Sequence, residues 1–274
     1  MKASCDTVRQ LRILLVIGLA LITGVACGQS PEAKKQKALA RGEQYLKDGK
    51  LNEAVIELRT ALQVDQNYVP AVHALGRAYV AKSWYGDAAR ELQRAQKLAP
   101  DSVPIAADYG RVLIQGRAWN DADAQAAMIL GKEPQNRDGL YIRAASLLGQ
   151  GKPQEVLALF GKDPASGADP DLGRVIASAL FRLGKVSEAE EAFRASLAKN
   201  PKDALSLAGL GAIQLSLNRP DEALKLYEQA KALRPANRRF TWAWPRTRPD
   251  WDVSRRRSKR WRRSIRPHGR PKPS

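Results

Sequence analysis

From Leu51 to Leu62 the chain reads LNEAVIELRTAL, and its apolar members are Leu51, Ala54, Val55, Leu58, Ala61 and Leu62. That i, i+3, i+4, i+7 spacing puts one oily stripe on an α-helix and leaves the charged residues on the other face. The segment VHALGRAYVAKSWYGDAARELQRAQKLAP, from Val72 to Pro100, carries two such stretches with a short polar break between them. Small residues then recur on a fixed period. Gly42, Gly76 and Gly110 lie 34 residues apart, and the series continues at Ala144, Ala177 and Gly211. Twelve residues after each stand Ala54, Ala88, Ala122, Val156, Ala189 and Ala223. Gly49, Gly151 and Gly184 fall in the polar breaks, where a left-handed residue ends a helix cheaply. Pro100, Pro134, Pro201 and Pro235 close the second stretches, because proline cannot continue a helix. The pattern predicts six helical hairpins in series. A lone hairpin cannot bury both of its faces, so each must be covered by the next. One residue is missing from the period around FGKDPASGADP, and Asp163 stands there in a slot that asks for a small core residue. A soft joint is expected at that place.

This register resembles the tetratricopeptide repeat family over residues 35–237. The repeats run 35–68, 69–102, 103–136, 137–169 (degenerate), 170–203 and 204–237. The resemblance implies an all-α fold, a right-handed superhelical solenoid of helix-turn-helix repeats. In that family the two helices of a repeat approach closely at Gly42 and Ala54, Gly76 and Ala88, Gly110 and Ala122, Ala189, and Gly211 with Ala223. Tyr45, Tyr79, Leu113, Leu147 and Leu180 would fill the space beside them, while Gln214 departs from the pattern. The family's first helices line a concave groove. By register Leu39, Glu43, His73, Arg77, Arg111, Tyr141, Arg174, Ser178 and Arg182 point into it. Arginine forks carboxylates and stacks on aromatic rings, so the expected partner is an extended, somewhat acidic protein segment. The lysine and asparagine pairing of chaperone-tail-binding members is absent from these slots.

The N-terminus follows a different logic. Lys2, Arg9 and Arg12 precede the apolar run ILLVIGLALITGVAC, and polar GQSPEAKKQKA follows at once. A basic segment, a short apolar segment and small residues at its end are the pattern of an export signal. Its 15 apolar residues fall short of the roughly 20 that a spanning helix needs. GVACG is similar to a bacterial lipobox, with Gly24 departing from it, and Cys27 would be the lipidated first residue of the mature chain. Residues 1–27 are thus expected to be a signal peptide, and 28–34 a short linker. Plain secretion to the periplasm and an uncleaved anchor are the alternatives. The two cysteines, Cys5 and Cys27, both lie in this leader, so the rest of the chain holds no disulfide.

Charge changes the picture only at the other end. The formal net charge is +18, but residues 28–235 carry 29 basic and 25 acidic groups. Most of the excess sits in the tail, where ANRRFTWAWPRTRPDWDVSRRRSKRWRR opens a stretch with 14 Lys or Arg, two Asp and four of the six Trp. Basic segments with interleaved tryptophan bind single-stranded nucleic acid. An exported protein rarely meets nucleic acid, and no such partner is expected. A second feature of the tail is its register in the other reading frame, formed by the third base of one codon and the first two of the next. Trp244-Pro245 then yields alanine, 34 residues after Gly211, and Asp250-Trp251 yields leucine, 34 after Leu217. Trp251-Asp252 yields glycine, 68 after Gly184. Ala243-Trp244 and Arg260-Trp261 each yield Leu, Val or Met, 34 after Leu210 and Tyr227. Residues 238–274 therefore look like a basic, disordered-type tail produced by a frameshift within further repeats.

No catalytic constellation stands out. The histidines are His73 and His268, far apart in the chain. GQGKP at Gly149–Pro153 lacks the rest of a phosphate loop and its preceding strand. Glu188, Glu190 and Glu191 open a helix, where negative charge suits the dipole. No metal, cofactor or enzymatic activity is expected. The expected function is a scaffold that binds segments of envelope or secretion machinery. It would be held by a lipid anchor at the outer membrane and face the periplasm. The layout is similar to repeat lipoproteins of exosortase and exopolysaccharide systems and of pilus assembly. Two alternatives remain: the N-terminal fragment of a longer, protease-like envelope enzyme, and nucleic-acid binding through the tail.

Overall fold

A computed structural model describes residues 30–161 and 169–233. The leader with Cys27, the joint expected at Asp163 and the tail at 238–274 lie outside the described residues. The described residues form twelve α-helices and no strand. They divide after Gly116 into two compact units. Unit 1 holds α1 (Pro31–Lys47), α2 (Leu51–Val64), α3 (Val69–Ala81), α4 (Tyr85–Leu98) and α5 (Val103–Gln115). Unit 2 holds α6 (Trp119–Lys132), α7 (Arg137–Gly149), α8 (Pro153–Phe160), α9 (Pro170–Arg182), α10 (Val186–Lys199), α11 (Ala204–Ser216) and α12 (Pro220–Ala232). α1 begins upstream of residue 35, so four residues of the expected linker are helical. Within unit 1, α1 packs on α2 and α3 on α4, and α3 and α5 then cover the helices before them. Within unit 2, α9 packs on α10 and α11 on α12, with α9 also against α7 and α8.

The helix starts are legible in the side chains. Ser30 Oγ accepts from Ala33 N at 3.2 Å, and Asn136 Oδ1 accepts from Gly139 N at 3.0 Å. Asp169 accepts from Asp171 N, and Asp203 from Leu205 N. Each such cap is worth about 0.5–2 kcal/mol, since it satisfies a backbone donor with no intrahelical partner. The hairpin turns share one geometry. Gly49, Ser83, Arg117, Gly151, Gly184 and Asn218 all have positive φ, between 58° and 81°. In five of these turns the next residue donates its N–H back to a first-helix carbonyl: Lys50 to Tyr45, Trp84 to Tyr79, Lys152 to Leu147, Lys185 to Leu180 and Arg219 to Gln214.

The close approaches lie at the expected slots. A Cβ on Gly42 would stand 2.6 Å from Leu58 Cγ, one on Gly76 2.7 Å from Leu92 Cγ, and one on Gly211 2.9 Å from Tyr227 Cε1. Gly110 is buried on α5. Ala54, Ala88, Ala122 and Ala189 are wholly buried, as is Val156, and Ala223 is nearly so. The residue sixteen after each small one is a second core slot that the sequence reading did not single out. It holds Leu58, Leu92, Ala126, Phe160 and Phe193, all 0–4 % exposed. Burying one such leucine contributes about 1.5–3 kcal/mol. α8 departs from the pattern. It has 8 residues where α4 and α10 have 14, and it stops at Gly161, beside the missing residue of the period.

Candidate partner-binding surface

The groove residues predicted from the register fall into two groups, one in each unit. In unit 1 the first helices bring three side chains together. His73 on α3 meets Asp108 on α5, with Nε2 and Oδ2 2.7 Å apart. The carboxylate can only accept, so Nε2 is assigned as the donor. Arg77, one turn further along α3, has its Nε 3.8 Å from the same Oδ2. Exposure rises along the series. The His73 side chain is 19 % exposed, Asp108 35 % and Arg77 58 %, so the arginine fork reaches outward from a seated base. Leu39 lies half-buried on α1 and Glu43 is exposed there, while Arg111 on α5 is half-buried and engaged within the chain. Asp108 was missed from sequence. Its signal was available: it stands 34 residues after Ala74 and 34 before Ile142, a lone charge in an apolar slot.

In unit 2 the expected groove residues are largely consumed by the fold, while Arg182 stays exposed. Tyr141 is 8 % exposed, so its ring lies in the core rather than on an open surface. Arg174 has a side chain only 13 % exposed, with Nη2 3.1 Å from Asp171 and Nε 3.1 Å from Asp203. Burial alone would lower its pKa. Tyr141, Asp203 and Asp171 more than offset this, leaving the pKa raised and the guanidinium charged. Asp203 also caps α11 and accepts from Ser206 Oγ at 2.6 Å, so Arg174 ties α9 to the start of α11. Ser178 Oγ donates to Arg174 O within its own helix, at 2.8 Å. Arg182 Nη1 donates to Leu148 O at 2.6 Å, tying the end of α9 to the end of α7. An apolar cavity of about 240 Å³ lies between Gly173, Ile176 and Leu180 of α9 and Ala192, Ala195 and Ser196 of α10.

Among the described residues, no group of three or more His, Cys, Asp or Glu is arranged to hold a metal ion. No described helix is long and apolar enough to cross a membrane.

Comparison with known proteins follows the same lines. Residues 174–238 match the family model described as tetratricopeptide repeat. Superkiller complex protein 3 of Homo sapiens is 29 % identical over 134 residues, 49 % of this chain and 8 % of its own length. Cellulose synthase operon protein C of Pseudomonas fluorescens (strain SBW25) is 27 % identical over 220 residues, 78 % of this chain and 15 % of its own. The chain thus spans only a small part of the curated relatives it matches. Among solved structures, a tetratricopeptide repeat protein from Parabacteroides merdae aligns with a TM-score of 0.63 at 16 % identity, covering 74 % of this chain and 80 % of that one. The pilF structure of Pseudomonas aeruginosa aligns with a TM-score of 0.52 at 18 % identity, covering 76 % and 95 %. A 34-residue register, left-handed turns on the same period and small residues seated under the facing helix converge with the family match: the described helices have the tetratricopeptide repeat fold, and residues 174–238 match that family.

Proposed function

We propose that this chain is a non-catalytic scaffold of the bacterial cell envelope, lipid-anchored through Cys27 to the outer membrane and facing the periplasm. It takes an extended, partly acidic segment of envelope or secretion machinery along the first-helix face of unit 1. The observation that carries this reading is Arg77, 58 % exposed beside the His73–Asp108 pair. An exposed guanidinium on a braced helix can fork a partner carboxylate at little ordering cost. Leu39 and Val80, half-buried on α1 and α3, add apolar contact on those helices. The likeness to a protein named for a cellulose synthase operon supports an exopolysaccharide-related setting.

Two experiments test it. Full-length chain carrying Arg77→Glu is expected to lose a captured envelope partner, with affinity down about tenfold or more. Arg90→Glu on α4, 77 % exposed, is expected to keep it. Equal capture by both variants would overturn the binding surface. Cys27→Ser is expected to abolish labelling with radioactive palmitate and to release the protein to the soluble periplasmic fraction. Unchanged labelling would remove the anchor from the reading.

A further inference from the structure

We propose that the outer face of α11–α12 is an interface built to be covered by a seventh helical hairpin, encoded after Pro235 in the other reading frame. The two ends of the described array differ in chemistry. At the front, α1 presents Lys37, Ala40 and Gln44, all exposed, where the equivalent residues of α3, Ala71, Ala74 and Ala78, are 0–3 % exposed under the preceding hairpin. Lys37 and Gln44 make that end polar, as the terminal unit of a repeat array requires. The other end is less polar, with Lys231 exposed in the slot that Leu62 holds on α2. On α11, Ala208, Ala212 and Leu215 are apolar and half-buried, in the slots that Leu39, Glu43 and Leu46 hold on α1, and on α12 half-buried Leu224 stands in the slot of Val55. The core slot that holds Leu58, Leu92, Phe160 and Phe193 at 0–4 % exposure is only half-buried at Tyr227. Leu205, Leu217 and Leu233, each 37–40 % exposed, belong to the same hairpin and its flanking turns. An apolar face of this kind marks an interface.

What covers it can be read from slots that the structure defines. Three features make a hairpin here: a small residue on the first helix, a bulky apolar one sixteen later that sits on it, and a left-handed residue at the turn. Tryptophan has a single codon, TGG, so the shifted frame can be read at each Trp of the tail. The small slot, 34 after Gly211, becomes alanine from Trp244-Pro245. The bulky slot, 34 after Tyr227, becomes Leu, Val or Met from Arg260-Trp261. The left-handed slot, 34 after Asn218 with its φ of 60°, becomes glycine from Trp251-Asp252. All three features of a hairpin therefore recur in step with α11–α12. The occupant is a helical hairpin of the same chemistry rather than a second copy of the chain.

The nucleotide sequence of the locus is the first test. The shifted frame is expected to stay open through the codons of residues 236–274 and beyond, and a stop codon within them would overturn the proposal. The second test compares the full chain with one rephased by a single base after Pro235. The rephased protein is expected to gain helix and to melt at least about 3 °C higher. In it, Tyr227→Ala is expected to lower Tm by more than in the original chain. An unchanged melting temperature, or an equal Tyr227→Ala effect in both proteins, would overturn it. Should the rephased protein fail to accumulate, sedimentation of the original chain decides. A concentration-dependent dimer abolished by Leu224→Lys would put a second copy on the face and refute the assigned occupant, whereas a monomer at all concentrations supports it.

Discussion

Gly76 leaves no room for a side chain, because a Cβ there would lie 2.7 Å from Cγ of Leu92 across the hairpin. Gly76→Leu is therefore expected to cost about 1–3 kcal/mol, seen as a lower urea midpoint with little change in slope. An unchanged midpoint would count against the helix pairing. Residues of this kind were legible in the sequence, because packing tolerates only a small residue where two helices touch and the period marks those places. The turns were half legible. Gly49, Gly151 and Gly184 announce a left-handed backbone by their type, while Ser83, Arg117 and Asn218 adopt the same conformation without announcing it. Only counting from the glycines would have found them. Asp108 and Asp203 were not legible as partners of His73 and Arg174. Their pairing depends on how one hairpin stacks on the next, which no single helix face reveals.

At the scale of the element, α1 shows how a first helix is fastened. Lys35 Nζ stands 2.8 Å from Asp65 Oδ2, beyond the end of α2, and 2.9 Å from Glu32 Oε2. The hydrogen bond from Lys35 is the main reason that both carboxylates have pKa values below their ordinary range. Asn67 N adds to the effect at Asp65, and Gln36 adds to it at Glu32. A carboxylate lowered on folding adds stability above its unfolded pKa and loses it as pH falls through the folded value. Asp65→Asn is thus expected to destabilise the protein at pH 7, by an amount that shrinks as the pH falls below the ordinary carboxylate range, in paired urea titrations. Because the pair is open to solvent, the pH 7 difference is expected to shrink with added salt. A difference that does not shrink as the pH falls would place the effect in the turn rather than in the ion pair. α9 is held differently, with Arg174 spent on Asp203 and exposed Arg182 donating to Leu148 O. That is why the register alone overstated the arginines open to a partner. Sequence spacing says which way a side chain leaves its helix, but not whether the next hairpin brings an acceptor to meet it.

For the whole molecule, stability in a repeat array is roughly a sum of hairpin terms and nearest-neighbour interfaces. The period, the helix content and three of the six turns were legible because one pattern, repeated, leaves few other solutions. The shortening of α8 to 8 residues was foreshadowed only by the missing residue of the period. Its division into two compact units had no sequence signal at all, since Gly116 and Arg117 lie inside an ordinary repeat turn. Amide hydrogen exchange on the full chain reads the central claim directly. Protection is expected in blocks matching α1 through α12, interrupted at Gly49, Ser83, Arg117, Gly151, Gly184 and Asn218. Protection that runs unbroken through those turns, or that is missing from an entire hairpin between residues 31 and 232, would contradict it.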